Sequence, residues 1–400
     1  MENLIIEQSR QLPASDQRIE IVERKGLGHP DTICDSIMNQ ISIDLSKEYL
    51  KRFNTILHHN IDKALLAAGE AEHKFNGGLI KKPMLLVVGD RATYLFGGER
   101  IFVDEVAIAA AKKWFKENLR FVDPDEHVKY QIELKQVSEA LSSIFKKGND
   151  ILGANDTSAA VGYAPMSKTE KTVLELEKFL NSGDFKKEFP ESGEDIKVMG
   201  LRTDDELRLT VSMAFIDRFI DSEQNYFKKK EEIMQKMQEF LEQMGNFSKS
   251  SIAFNTLDER GRGIDGLYLT VVGTCADAAD SGQVGRGNMI NGVIPLNRPT
   301  SSEAAAGKNP VSHVGKIYNA LSFKIADKIH SSIPGLKEVY VWLLSQIGQP
   351  INQPKIVAVQ AIAEKTLDDS MKKQIEEIAS SELENIKEFC RDLALGKITI

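Results

Sequence analysis

In six stretches of the chain, apolar residues recur every three to four positions, the spacing of one helix face. After Asp31, the residues Ile33, Ile37, Ile41 and Leu45 repeat at every fourth position. Further amphipathic stretches begin at Val103, Ser167, Ser222, His313 and Leu367. Gly183 and Gly245 mark expected helix stops. Between these stretches lie β-like runs: TILHHNID, ALLAAGEAE, MLLVVGD, KYQIEL, IKVMGLR, LRLTVSMAFI, SIAFN, GLYLTVVGT, VYVWLLSQI and KIVAVQAI. The Asn-Gly-Gly at Asn76 to Gly78 fits a hairpin turn.

The order of elements repeats weakly in thirds. Each third has strands, a helix near its start or middle, and a long closing helix beginning near 103, 222 or 368. This predicts three α+β units, approximately 20–135, 136–250 and 251–400, each with helices on one face of a mixed sheet. Charge runs such as KKKEE on the closing helices read as solvated faces.

Composition narrows the classes. The apolar fraction of 42% suits a globular chain. The apolar runs are far shorter than the roughly 20 residues that span a bilayer, so no membrane segment is expected. The start, MENLIIEQSRQ, lacks the long apolar core of a signal peptide. Three scattered cysteines predict a reduced, cytoplasmic chain. A net charge of −8 argues against nucleic-acid binding but leaves room for a basic pocket around a small polyanion.

Four loops join glycine to polar and charged residues. RKGLGHPDTICDSI runs from Arg24 to Ile37. There Gly26 and Gly28 permit unusual backbone angles or close approach, and Pro30 holds His29 extended. Asp31 is the expected helix cap, and Asp35 follows one turn later on the same face. The second loop is ILGANDTSAAVGYAP, with Asp156 at its centre. The third, ADSGQVGRGNMINGVIP, holds Asp280 and Arg286. Its G-x-x-G-x-G order and the lack of a following helix exclude a dinucleotide fingerprint. The fourth, NRPTSSEAAAGKNPVSHVGK, puts Gly307 and Lys308 before a helix, a phosphate-binding arrangement that is not a Walker A loop. Together the loops set Arg24, Lys25, His29, Arg286, Arg298, Lys308 and Lys316 against Asp31, Asp35, Asp156 and Asp280. No Ser–His–Asp triad or zinc spacing appears. The inventory suits a polyphosphate bridged by Mg²⁺.

These loops, in this order, resemble those of the S-adenosylmethionine synthetase family. GHPD with Asp35 is similar to its N-terminal signature, AAGEAE (Ala67 to Glu72) to the segment whose glutamate lies near methionine, and GANDTS to its GAGDQG loop. DSGQVGRG resembles GDxGxTGRK, AGKNP resembles SGKDP, and QIGQPI resembles IGVAEP. NPVSHVGKIYN and PLNRP look like the archaeal-type branch. Gly287 stands where many members have lysine, Asn309 replaces an aspartate, and RTDDELRL (Arg202 to Leu209) lacks the lysine of RPDAKSQV.

The resemblance implies three similar α+β domains about a pseudo-threefold axis, built from interleaved segments. It implies a homodimer or tetramer with active sites between subunits, ATP and L-methionine as substrates, two Mg²⁺ per site, and K⁺. The sulfur of methionine would attack C5′ of ATP, and the displaced triphosphate would be hydrolysed to diphosphate and phosphate. By the same resemblance His29 lies near the departing oxygen and Asp31 binds Mg²⁺. Lys308 and Arg286 contact the phosphates, and Asp156, Asp280 and Glu70 position methionine and the nucleoside. The competing readings are a non-catalytic nucleotide-binding partner and an ATPase or tripolyphosphatase.

Overall fold

A computed structural model of the chain describes residues 3–137, 151–398 and 400. The opening of the expected 136–250 unit, residues 138–150, lies outside them. In chain order, the strands of the three larger sheets begin with β1 (Leu4–Gln8), β2 (Ile19–Lys25), β3 (His59–Ala67), β4 (Met84–Ala92) and β5 (Val128–Gln136). Next come β6 (Ala159–Ala164), β7 (Ser192–Thr203), β8 (Glu206–Ile216), β9 (Lys249–Phe254), β10 (Gly282–Gln283), β11 (Ile294–Pro295), β12 (Leu336–Leu344) and β13 (Ile356–Ala363). The helices are α1 (Pro30–Phe53), α2 (Val103–Asn118), α3 (Lys168–Leu180), α4 (Gly183–Glu188), α5 (Glu223–Met244), α6 (Val314–Ser332), α7 (Asp369–Glu384) and α8 (Ile386–Leu395).

The fold is α+β with mixed sheets. One sheet runs β10–β3–β4–β5, with β3 and β4 antiparallel and β4 and β5 parallel. A second runs β9–β8–β7–β2–β11, and a third β1–β13–β12–β6. Each carries a hydrophobic core under its helices. Ile33, Ile37, Ile41 and Leu45 of α1 pack with Phe115 of α2 over Leu66 and Val88. Val173 of α3 and Met237 of α5 cover Val198 and Val211. Ile317 and Leu321 of α6 cover Val341 and Val359. Distant segments share sheets: β1 pairs in parallel with β13, and β10 pairs with β3. Among the described residues no helix is long and apolar enough to cross a membrane.

The helical periodicities all become helices, with two refinements. The last stretch breaks at Asn385 into α7 and α8, and α3 ends at an Asn181 cap, so Gly183 opens α4 instead of stopping α3. The strand readings fare less evenly. TILHHNID and ALLAAGEAE merge into β3 plus a short strand at Glu70–Glu72. GLYLTVVGT keeps only Leu269–Thr270 as strand. There the Asp277 carboxylate accepts from the Val271 and Val272 amides at 2.6 and 3.2 Å, replacing a ladder partner. The strands β1, β2 and β6 have no counterpart in the sequence pattern.

Arg298 is a correction to the phosphate-binding set. It is buried, and its guanidinium donates to Glu170 at 2.9 and 3.2 Å, to Tyr340 Oη at 2.8 Å and to Glu338. It also stacks 4.2 Å from the Tyr163 ring centroid. The arginine therefore ties α3 to the β12 sheet. Lys316 is likewise fully buried, with Nζ donating to the Lys308 carbonyl at 3.0 Å. All of the Arg298 guanidinium's partners thus lie inside the fold. Removing one partner of such a network strands buried charge, at a cost of about 3–5 kcal/mol. Arg298→Met should lower the unfolding free energy by that amount in urea titration. A midpoint within error of the parent protein would contradict the structural role.

Candidate active site

The opening motif is built by close approach. Strand β2 ends at Lys25, and the Gly26 and Gly28 amides donate to Ile196 O at 2.6 Å and Glu194 O at 2.9 Å on β7. A Cβ on Gly28 would lie 2.5 Å from the Asp195 amide nitrogen, and one on Gly26 would lie 2.5 Å from Ile196 O. Only glycine lets the chain lie this close to β7. Pro30 then opens α1, and His29 stands before it at φ −67° and ψ 133°.

His29, not Asp31, is the helix cap. Its Nδ1 accepts from the Asp31 amide at 3.2 Å. Proline occupies the first helical position, so the cap falls on the residue before it. The ring is mostly buried, and burial lowers its pKa to about 4. Lys25 and Lys197 push the same way, while Asp31 and Asp280 oppose them. The ring is therefore neutral near pH 7. With Nδ1 accepting, its one proton sits on Nε2.

The two aspartates of α1 face the third loop. Asp31 Oδ1 accepts from the Gln283 amide at 2.9 Å, and Oδ2 accepts from Lys25 Nζ at 2.9 Å. Burial would raise the Asp31 pKa, but the bonds from Lys25 and the Gln283 amide hold it below the usual carboxylate value. Asp35 Oδ1 accepts from the Gly285 amide at 2.7 Å, and Oδ2 accepts from the Gly287 amide at 3.0 Å. Lys25 Nζ reaches on to the Arg286 carbonyl at 2.6 Å. Arg286 itself is exposed, and its guanidinium has no hydrogen bond or ion pair among the described residues.

A cavity of about 530 Å³ opens beside His29, lined also by Asp280, Asp195, Lys197, Tyr268 and Cys275. Asp195 is fully buried, and burial raises its pKa to about 7 despite the Cys275 amide bonding its carboxylate at 2.9 Å. Neither Asp195 nor Lys197 stands out in the sequence. They lie on alternate positions of β7, on either side of Ile196, and no motif marks them.

The other candidates lie elsewhere in the chain. Lys308 Nζ is buried between Asp62, at 2.7 Å, and Glu303, at 3.1 Å. Its carbonyl accepts from Ser42 Oγ and Lys316 Nζ. Gly307 has φ +73°, and a Cβ there would lie 2.1 Å from Ile61 O. The Asn309 side-chain oxygen Oδ1 accepts from the Val311 and Ser312 amides at 3.0 and 3.2 Å, so this side chain folds the loop. Glu70 pairs with Lys82 at 3.2 Å at the surface. The Asp156 carboxylate accepts from its neighbour, the Thr157 amide, at 2.7 Å, and the Asp156 backbone carbonyl accepts from Ser345 Oγ at 2.9 Å. None of Lys308, Glu70 and Asp156 lines the His29 cavity. Asp62 and Glu303, the partners of Lys308, went unnoticed because each sits in an ordinary-looking strand or loop.

The sequence family model of S-adenosylmethionine synthetase (AdoMet synthetase) matches residues 2–397. The chain belongs to the S-adenosylmethionine synthetase family. A relative described as S-adenosylmethionine synthase in Thermococcus onnurineus is 45% identical across 100% of this chain and 98% of its own length. A probable S-adenosylmethionine synthase of Aquifex aeolicus is 43% identical, covering 97% of each chain. The solved structure of an unusual S-adenosylmethionine synthetase from Campylobacter jejuni shares the fold. It has a TM-score of 0.63 at 16% identity and covers 95% of this chain and 94% of its own.

For this family member the residues present suit Mg²⁺ only in part. Among the described residues no group of three or more His, Cys, Asp or Glu forms a metal cage. Mg²⁺ asks for less, being held by one or two carboxylates, water and substrate phosphates. Asp31 meets that need, because Lys25 and the Gln283 amide leave lone pairs open on its oxygens. Asp35 likewise takes one donor on each oxygen, and those donors are the Gly285 and Gly287 amides of the loop.

The assignment of the His29 proton is open to direct measurement. In ¹⁵N NMR, the ring should remain neutral with its proton on Nε2 from pH 8 down to pH 5, and titrate near pH 4. A midpoint near the ordinary 6.5 would contradict the buried, capping geometry.

Proposed function

We propose that the protein makes S-adenosylmethionine from L-methionine and ATP, and hydrolyses the displaced triphosphate to diphosphate and phosphate. The methionine sulfur uses its own lone pair. The S–C5′ bond forms, the C5′–O bond breaks, and the electron pair of that bond leaves with the triphosphate. No proton leaves the nucleophile, so no general base is required. The barrier lies in negative charge growing on the departing oxygen, which oriented donors and cations lower.

One observation carries this reading: a neutral His29 ring, with its proton on Nε2, beside a loop whose Arg286 guanidinium has no partner among the described residues. In this role His29 donates to the oxygen leaving C5′, and Arg286 and Lys308 bind the phosphates. Asp280, Asp156 and Glu70 position methionine and the nucleoside. Bound Mg²⁺, two per site, would neutralise phosphate oxygens, and Asp31 would hold one of them. K⁺ belongs to the same reading as the monovalent cation.

Lys308, Glu70 and Asp156 do not line the His29 cavity of their own chain. The reading therefore has a second copy complete each site, in a homodimer or tetramer. The three cysteines are buried and unpaired, which suits a reduced cytoplasm.

The test is sulfonium formation from ATP and methionine, followed with and without methionine. Product and phosphate release should both require methionine. Phosphate release from ATP alone at an equal rate would favour a plain ATPase. His29→Asn keeps a capping oxygen at the helix start. It should unfold near the parent temperature yet form the sulfonium roughly 10²–10³ times more slowly, as for loss of one transition-state donor. A near-normal rate would remove His29 from the reaction.

A further inference from the structure

Among the described residues the guanidinium of Arg286 has no partner, but its backbone is held on three sides. The Gly285 amide before it and the Gly287 amide after it both donate to Asp35, one to each carboxylate oxygen. Its carbonyl accepts from Lys25 Nζ at 2.6 Å. An exposed arginine is ordinarily held by its side chain or not at all. Here the main chain is fixed and the side chain is left open.

Glycine on both sides makes the grip possible. Gly285 has φ +82°, a left-handed conformation that a residue with a Cβ adopts only with strain. A Cβ at Gly287 would lie 2.2 Å from Asp35 Oδ2, where it would push the carboxylate off the amides. With a side chain at 287 the grip could not form in this geometry.

We propose that Asp35 is a positioning residue. It acts through the Gly285 and Gly287 amides to hold the Arg286 guanidinium where the triphosphate chain binds. The proposal rests on the role given to Arg286 above. Its physical basis is preorganisation: a loop fixed before the ligand arrives spends no binding free energy on being ordered. The two other roles open to Asp35 predict different behaviour. A metal ligand would change the Mg²⁺ requirement. A purely structural carboxylate would change stability but not phosphate affinity.

The experiment compares Asp35→Asn, Gly287→Ala, Arg286→Ala and the Asp35→Asn/Arg286→Ala double variant in the full-length protein. The readouts are KM for ATP, KM for added tripolyphosphate, KM for methionine, half-saturating Mg²⁺ and melting temperature. Asp35→Asn should raise both phosphate-dependent KM values roughly tenfold, the scale of one lost hydrogen bond to a charged group. KM for methionine and half-saturating Mg²⁺ should stay within twofold. Gly287→Ala disturbs the same grip from the loop side and should reproduce the pattern, so the proposal remains testable if Asp35→Asn folds poorly. The double variant should bind phosphate no worse than Arg286→Ala, since Asp35 works through that residue. Additive losses, or unchanged KM values in both Asp35→Asn and Gly287→Ala, overturn the proposal. A raised Mg²⁺ requirement overturns it in favour of a metal ligand. If Arg286→Ala itself binds ATP normally, the fault lies with the phosphate role of Arg286.

Discussion

Two carboxylates one helical turn apart grip a glycine-rich strand, and the candidate site depends on that grip. Asp31 and Asp35 accept from the amides of Gln283, Gly285 and Gly287. The strand ends at Gln283, and the chain then turns at Gly285, whose φ is +82°. The turn brings the Gly285 and Gly287 amides to Asp35, one helical turn beyond Asp31. The grip needs the loop backbone close to the helix, and a Cβ at Gly282 would lie 2.1 Å from Pro30 O. Three carboxylate oxygens thus hold three amides of the loop.

The same grip sets the electrostatics. Lys25 neutralises Asp31 and at the same time holds the Arg286 carbonyl, so it serves the helix and the loop together. His29 caps α1 and is buried, which leaves it neutral instead of cationic. In the proposed reaction a neutral donor adds no net charge to the resting site, and its hydrogen bond would strengthen as charge grows on a departing oxygen. Capping also fixes which nitrogen bears the proton. Fold and chemistry are thus joined in one residue, and substitutions there must be chosen to separate them.

Much of this was legible in the sequence. Four-residue periodicity marked α1 because Ile33, Ile37, Ile41 and Leu45 are all fully buried. The loops stood out because glycines that allow close approach are set among charges. Other features depended on long-range contact. Strand β1 is five residues long and is a strand only because β13 runs beside it. Arg298 looked like a phosphate ligand because its two carboxylate partners, Glu170 and Glu338, lie 128 and 40 positions away. Asp195 lies inside β7 without any local signal, and it joins the His29 cavity because Gly26 and Gly28 bring the β2–α1 turn against β7. His29 displaced Asp31 as the cap because proline shifts the helix start by one position, and an imidazole nitrogen can replace the usual side-chain oxygen.

The central claim is that α1 holds the loop around Arg286 before any ligand binds. Hydrogen–deuterium exchange of the ligand-free protein, read by mass spectrometry on peptides covering 282–288, tests it most directly. The account predicts slow exchange at the Gln283, Gly285 and Gly287 amides, and fast exchange at the same peptides when Asp35 is replaced by asparagine. Exchange in the parent protein at the rate of an open, solvated loop, with protection only after ATP is added, would contradict it.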